Sequence, residues 1–215
     1  MPINKAMNYV VSWTPSMYTF NVGAPIEALR AMAYEGPLQL RIQLAEWSSV
    51  PEGVLSILLH DKDEAVVSTA LRHPNCPERF LRARARTASV RLLSIIAGRS
   101  NCPADVLRII YERYIESDIY IHRFPQQFLE ASQLPNDVFD DLVKRALAND
   151  AILALQSLAK SQWCDAQTLE QWFWQVADAT RPHARQLRQS IVQNTKCPEH
   201  IRAYYALAEG ALASV

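Results

Sequence analysis

The sequence predicts an all-α protein, an α-solenoid of about seven helix-turn-helix repeats. Three observations carry that expectation. A proline recurs at near-regular spacing, four apolar positions keep fixed distances from it, and the chain has twelve prolines against five glycines. Such a composition suits helices joined by tight turns, and argues against β-hairpins and glycine-rich phosphate loops.

The recurrence is read by aligning on the proline. Leu44 to Pro51 is followed by Glu52-Gly53-Val54-Leu55, Ala70 to Pro77 by Glu78-Arg79-Phe80-Leu81, and Ile96 to Pro103 by Ala104-Asp105-Val106-Leu107. Pro135 and Pro198 begin later copies, Asp165 stands in for the proline in another, and Pro25 begins a degenerate first one. The spacing is 26 residues from Pro25 through Pro51 and Pro77 to Pro103, then 32, 30 and 33.

Each copy reads as helix, turn, helix. The proline suits the first position of the second helix, where its missing N–H costs nothing. Acids just after it (Glu52, Glu78, Asp105, Asp137, Glu199) favour the positive end of the helix dipole. Positions three, four, seven and eight after the proline are mostly apolar, as in Val54, Leu55, Leu58 and Leu59, and so share one side of a helix. The preceding helix supplies a matching stripe, for example Val66, Ala70 and Leu71. One helix pair cannot bury its own apolar face, whereas stacked neighbours can. Residues 1–215 therefore read as a single solenoid domain. Residues 1–22 form an N-terminal cap, 23–113 the short 26-residue repeats, and 114–215 the longer repeats with a C-terminal cap.

His60-Asp61-Lys62-Asp63-Glu64-Ala65-Val66, leading into Ala70-Leu71-Arg72-His73-Pro74-Asn75-Cys76-Pro77, resembles the variant leucine-rich repeat. Units of that family have an acidic turn, a Val early in the first helix and an Asn-Cys-Pro turn before the second. The resemblance covers roughly residues 38 to 110, and the longer C-terminal units look more like HEAT repeats. It implies a right-handed solenoid, a mainly bacterial origin, and a binding surface with no defined chemistry. Some members carry an iron–sulfur module ahead of the repeats, but no cysteine precedes Cys76. No cofactor is expected.

Cys76, Cys102, Cys164 and Cys197 invite a metal reading, which the register opposes. All four sit just before the proline or its Asp165 substitute, a slot held elsewhere by Ala24, Val50 and Leu134. Such a slot is small and apolar, and free cysteine suits it. Equivalent positions in successive turns lie roughly 10 Å apart, the spacing of packed helices, which is too far for shared ligation at about 2.3 Å or for a disulfide. Histidines 60, 73, 122, 183 and 200 are scattered, and no catalytic or nucleotide motif is present. A non-catalytic protein is expected.

Two departures from the repeat rule mark candidate sites. On the polar side of one second helix, positions two, five and nine are Arg79, Arg82 and Arg86, and Arg108 repeats position five one unit on. Residues 72 to 99 hold seven arginines and one acid, Glu78. Arg84 occupies position seven, an apolar place in other copies, so either the helix frays there or Arg84 is paired inside. Further on, Asp137, Asp140, Asp141 and Glu170 make the equivalent surface acidic. Trp174 falls at position nine, on the polar side. It is either a binding anchor or covered from within, and the tail Ala211 to Val215 is apolar enough to fold back.

The net charge is zero, so no bulk attraction to nucleic acid or membrane follows. No apolar run approaches membrane-spanning length, and Met1 to Trp13 lacks the pattern of a secretory signal. A cytoplasmic protein is expected. The first functional reading is a scaffold whose concave, arginine-lined face binds an acidic or phosphorylated segment of another protein, using the bidentate geometry of Arg79, Arg82, Arg84, Arg86 and Arg108. The same charges also fit a merely solvated face. The alternative is DNA-backbone binding, as in HEAT-like alkylpurine DNA glycosylases, solenoids of about this size. Basic residues, however, are concentrated in 72–113 and 181–188, and no catalytic motif of theirs is matched.

Overall fold

All seven recurrence marks stand immediately before a helix in the computed structural model, which describes residues 1–14, 17–21, 23–117, 121, 124–177 and 184–212. Pro25, Pro51, Pro77, Pro103 and Pro135 adopt φ between −66° and −58° with extended ψ. Expected at the first helical position, proline instead sits one residue earlier, as the flanking residue. Its ring fixes φ near this value, and its carbonyl accepts the first helical bond. Leu29, Leu55, Leu107 and Phe139 donate to it at 3.2, 2.9, 3.0 and 2.9 Å. Asp165 starts its helix by another route, its Oδ1 accepting the Thr168 N–H at 2.7 Å as an aspartate cap does.

The described chain is mostly helical and divides into two compact units, Met1–Ile96 and Ala97–Val215. The first begins with α1 (Ile3–Ala6), a 3-10 turn and an antiparallel hairpin of β1 (Val10–Thr14) and β2 (Met17–Phe20), in which Trp13 pairs with Tyr18. The composition argued against hairpins. Here β-branched and aromatic residues cluster locally enough to override it. Then follow α2 (Ile26–Glu35), α3 (Leu38–Glu46), α4 (Glu52–Leu58), α5 (Glu64–Arg72), α6 (Glu78–Thr87) and α7 (Val90–Ala97). Helix α2 packs on α4 and α3 on α5, and β2 lies against α3, where the Phe20 and Trp47 rings are 5.4 Å apart. Gly36 lets α2 turn directly into α3, because a Cβ there would lie 2.4 Å from the Met32 carbonyl oxygen.

The second unit holds α8 (Ala104–Glu116), α9 (Gln126–Leu129), α10 (Asn136–Ala148), α11 (Ile152–Ala159), α12 (Ala166–Ala177), α13 (Ala184–Gln193) and α14 (Glu199–Leu212). Here α11 packs against α9, α10 and α13, and α13 against α12 and α14. The apolar positions behave as their spacing requires. Val54, Leu55, Leu58 and Leu59 are buried, as are Val106, Leu107 and Ile110, and Val138, Phe139 and Leu142. Burying each such side chain contributes about 1.5–3 kcal/mol. In α14 only Ile201 of the four is buried.

A common turn precedes each of the seven helices that begin at a recurrence mark. Ala24, Val50, Cys76, Cys102, Leu134, Cys164 and Cys197 each donate their N–H to the carbonyl three residues back, at 2.9–3.3 Å. In four copies the side chain at that earlier place also caps the turn. Asn21, His73, Ser161 and Asn194 accept the N–H of the residue two further on, at 2.8–3.2 Å. Two of these side chains also reach the corresponding turn earlier in the chain. His73 Nε2 donates to the Trp47 carbonyl at 3.2 Å, and Asn194 Nδ2 to the Ser161 carbonyl at 3.1 Å. Both residues are buried, so each peg satisfies polar groups that water does not reach.

Candidate binding surface

Helix α6 presents Arg79, Arg82 and Arg86 along one side, as their spacing predicts. Arg79 and Arg86 are exposed and Arg82 is half-buried. Glu52, at the start of α4, pairs with Arg79 across the 27 residues that separate them. Glu78 pairs with Arg82 at 2.8 Å, one turn away on the same helix. Counting charges along residues 72 to 99 missed Glu52, because the fold brings an acid from 27 residues earlier onto the stripe. Such exposed pairs are worth about 0–1 kcal/mol, so both guanidinium groups can change partner at little cost. Arg86 has no partner among the described residues.

Arg84 is half-buried and paired. Helix α6 continues past it to Thr87, and its Nη2 donates to the carbonyl of Leu59, just beyond the end of α4. The long stem covers apolar surface while the head finds an acceptor, which reconciles an arginine with position seven. The contact fixes α6 against the residue that precedes His60.

His60 leads to a groove that sequence reasoning missed. About 390 Å³ of space is lined by Tyr34, Ser56, Ile57, His60 and Lys62, with the buried Arg41–Asp61 pair also lining it. Arg41 donates from Nε to Asp61 at 2.7 Å, from Nη2 to its other oxygen at 3.2 Å, and from Nη1 to the Gly36 carbonyl at 2.7 Å. Asp61 Oδ1 also accepts the Asp63 N–H at 2.8 Å. The sequence signal was the acidic turn His60-Asp61-Lys62-Asp63, and nothing in it pointed to Arg41. His60 donates from Nδ1 to the Ser56 carbonyl at 2.9 Å, leaving Nε2 an acceptor in the neutral ring. Its ring meets Phe80 edge-on at 5.7 Å, and Arg79 lies 5.1 Å over the same Phe80. Groove and stripe are therefore continuous within the first unit.

In the second unit Arg108 is held by Asp137 through two bonds, at 2.5 and 2.7 Å. That pairing raises the arginine's pKa and holds the Asp137 carboxyl below its usual range. Asp141 accepts from Arg145 at 2.5 Å and from the Tyr111 hydroxyl. The acids expected to form an acidic stretch are thus partly neutralised by neighbours. Trp174, on α12, is 45% exposed and tilts against Tyr204 of α14, with ring centres 5.1 Å apart. Tyr204 covers one side of the indole and leaves the rest open. The side chains of the tail, Ala211 to Val215, lie outside the described residues.

The four cysteines are free and buried. Burial pushes the Cys102 and Cys164 thiols up to about 12, a condition of inert core residues. Among the described residues no three His, Cys, Asp or Glu side chains group as metal ligands, and no helix is long and apolar enough to cross a membrane. Compared with known proteins, the chain matches no family model, no curated protein and no solved structure.

Proposed function

We propose that this chain is a non-catalytic protein-interaction module, an α-solenoid of helix-turn-helix repeats similar to the variant leucine-rich repeat. On this reading the Arg79–Arg82–Arg86 side of α6 docks an acidic or phosphorylated segment of a partner. The observation that carries the reading is the state of those three guanidinium groups. One is unpartnered among the described residues, and two are held by exposed carboxylates that a ligand's carboxylate or phosphate can replace bidentately. The seven-fold recurrence of one turn geometry supports the solenoid, and the pegs from His73 and Asn194 support stacking of one repeat on the last.

DNA-backbone binding has less behind it. The chain's net charge is zero, so it lacks the overall positive charge that draws a protein to a DNA backbone. Fluorescence anisotropy with labelled acidic and phosphorylated peptides tests the proposal. Arg82→Glu with Arg86→Glu is expected to weaken binding at least about tenfold while far-UV circular dichroism stays unchanged. Equal affinity of the variant would remove α6 from the account. Duplex DNA at about 50 mM salt is expected not to bind, and binding that collapses as salt rises would assign the face to nucleic acid instead.

A further inference from the structure

We infer that the groove beside α6 is a specificity pocket for one large apolar side chain, aromatic by preference, carried by the same acidic segment. This rests on the reading of α6 as the docking face and adds a second, chemically different subsite to it.

The groove has an apolar wall and a polar rim. Tyr34, 71% exposed, forms one side of that wall. Ile57 and Ala33 continue the wall, and Ser56 and Lys62 form the rim. The Arg41–Asp61 pair satisfies both of its charges internally, so the groove offers no uncompensated buried charge that would repel an apolar group. Its volume of about 390 Å³ lies at the small end for ligand sites and accommodates one aromatic side chain.

Continuity selects the occupant. His60 lines the groove and touches Phe80, and Arg79 lies over Phe80, so the groove opens directly onto the first turn of α6. Arg79 and Arg86 are seven residues apart, about 10 Å along a helix, a distance that about three residues of extended chain cover. A segment with an aromatic residue in the groove would therefore place its next acids along Arg79, Arg82 and Arg86. Arginines next to an exposed ring are the usual composition of a docking hot spot. The Arg84 bond to Leu59 holds the two subsites in register.

Three fluorescein-labelled acidic peptides test this. The first carries only Glu, Asp and Ser, and the others have a Trp in place of the Ser at one end or the other. One Trp peptide should bind at least about tenfold tighter than the Ser peptide. Tyr34→Ala, an exposed position, should abolish that gain and leave the Ser peptide unaffected, whereas Arg82→Glu with Arg86→Glu should weaken all three. Equal affinity of the three peptides, or a Trp gain indifferent to Tyr34→Ala, overturns the pocket and leaves the docking face standing. No binding of any peptide at about 50 mM salt overturns both. Sedimentation of the protein alone should show no self-association through this face, and a dimer lost on Tyr34→Ala would give the groove to a second copy.

Discussion

His73 reaches back to the carbonyl of Trp47, its own counterpart 26 residues earlier, while its other ring nitrogen accepts the Asn75 N–H. Only one neutral tautomer satisfies both bonds, with the proton on Nε2. Asn194 makes the same pair of contacts with an amide, donating to Ser161 and accepting from Lys196. His73→Ala, which removes both bonds at about 0.5–1.5 kcal/mol each, should cost about 1–3 kcal/mol in urea unfolding. His73→Asn should recover part of that loss, because an amide already serves at position 194. Equal damage from both substitutions would mean that the peg is incidental.

Asp165 replaces proline by supplying the cap that proline cannot. Asp165→Ala removes the bond to Thr168 and should cost about 1 kcal/mol, whereas Asp165→Pro should be tolerated, since Pro25, Pro51, Pro77, Pro103 and Pro135 start their helices with φ near −60°. The bonds to Thr168 hold the Asp165 carboxyl below its usual range. Its contribution is therefore present above about pH 4 and fades as pH falls through the folded-state pKa. Thermal unfolding of the two variants at pH 7, and of wild type down to pH 3, checks both statements.

The Arg41–Asp61 pair is the buried counterpart of the exposed α6 pairs, and the two kinds should differ in cost. Arg41→Met strands a buried carboxylate and should destabilise by about 3–5 kcal/mol. Arg79→Met should change stability by less than about 1 kcal/mol. Denaturant midpoints of the two variants make the comparison, and similar values would show that burial does not set the difference.

The thiols give a pH limit at the alkaline end. Ionisation of Cys102 and Cys164 moves from 9.0 to about 12 on burial. Stability from this source is whole below pH 9 and falls between about 9 and 12, where thiols of the unfolded chain lose their protons first. At pH 8 a thiol-disulfide reagent should modify the native protein slowly and all four cysteines promptly in denaturant. Prompt native modification of Cys102 or Cys164 would contradict their burial.

What the sequence disclosed was whatever repeats. Helix starts, the mostly buried apolar positions after them and the cysteine slot follow from distances along the chain, so the register predicted them without coordinates. The fate of Arg84 was legible only as a contradiction, because its acceptor is a backbone carbonyl, and every residue has one of those. Arg41–Asp61 and Arg79–Glu52 were hidden for a different reason. Each joins residues 20 or more apart whose side chains look ordinary in their own windows. The hairpin escaped because whole-chain composition says little about eleven residues at one end.

The central claim is that α6 is a docking face, and chemical-shift mapping tests it most directly. On titrating isotope-labelled protein with the acidic Trp peptide, the largest shifts should fall on the backbone amides and guanidinium Nε of Arg79, Arg82 and Arg86, with smaller ones at Tyr34 and His60. Shifts centred on Trp174 and Tyr204, or spread evenly over both units, would contradict the account.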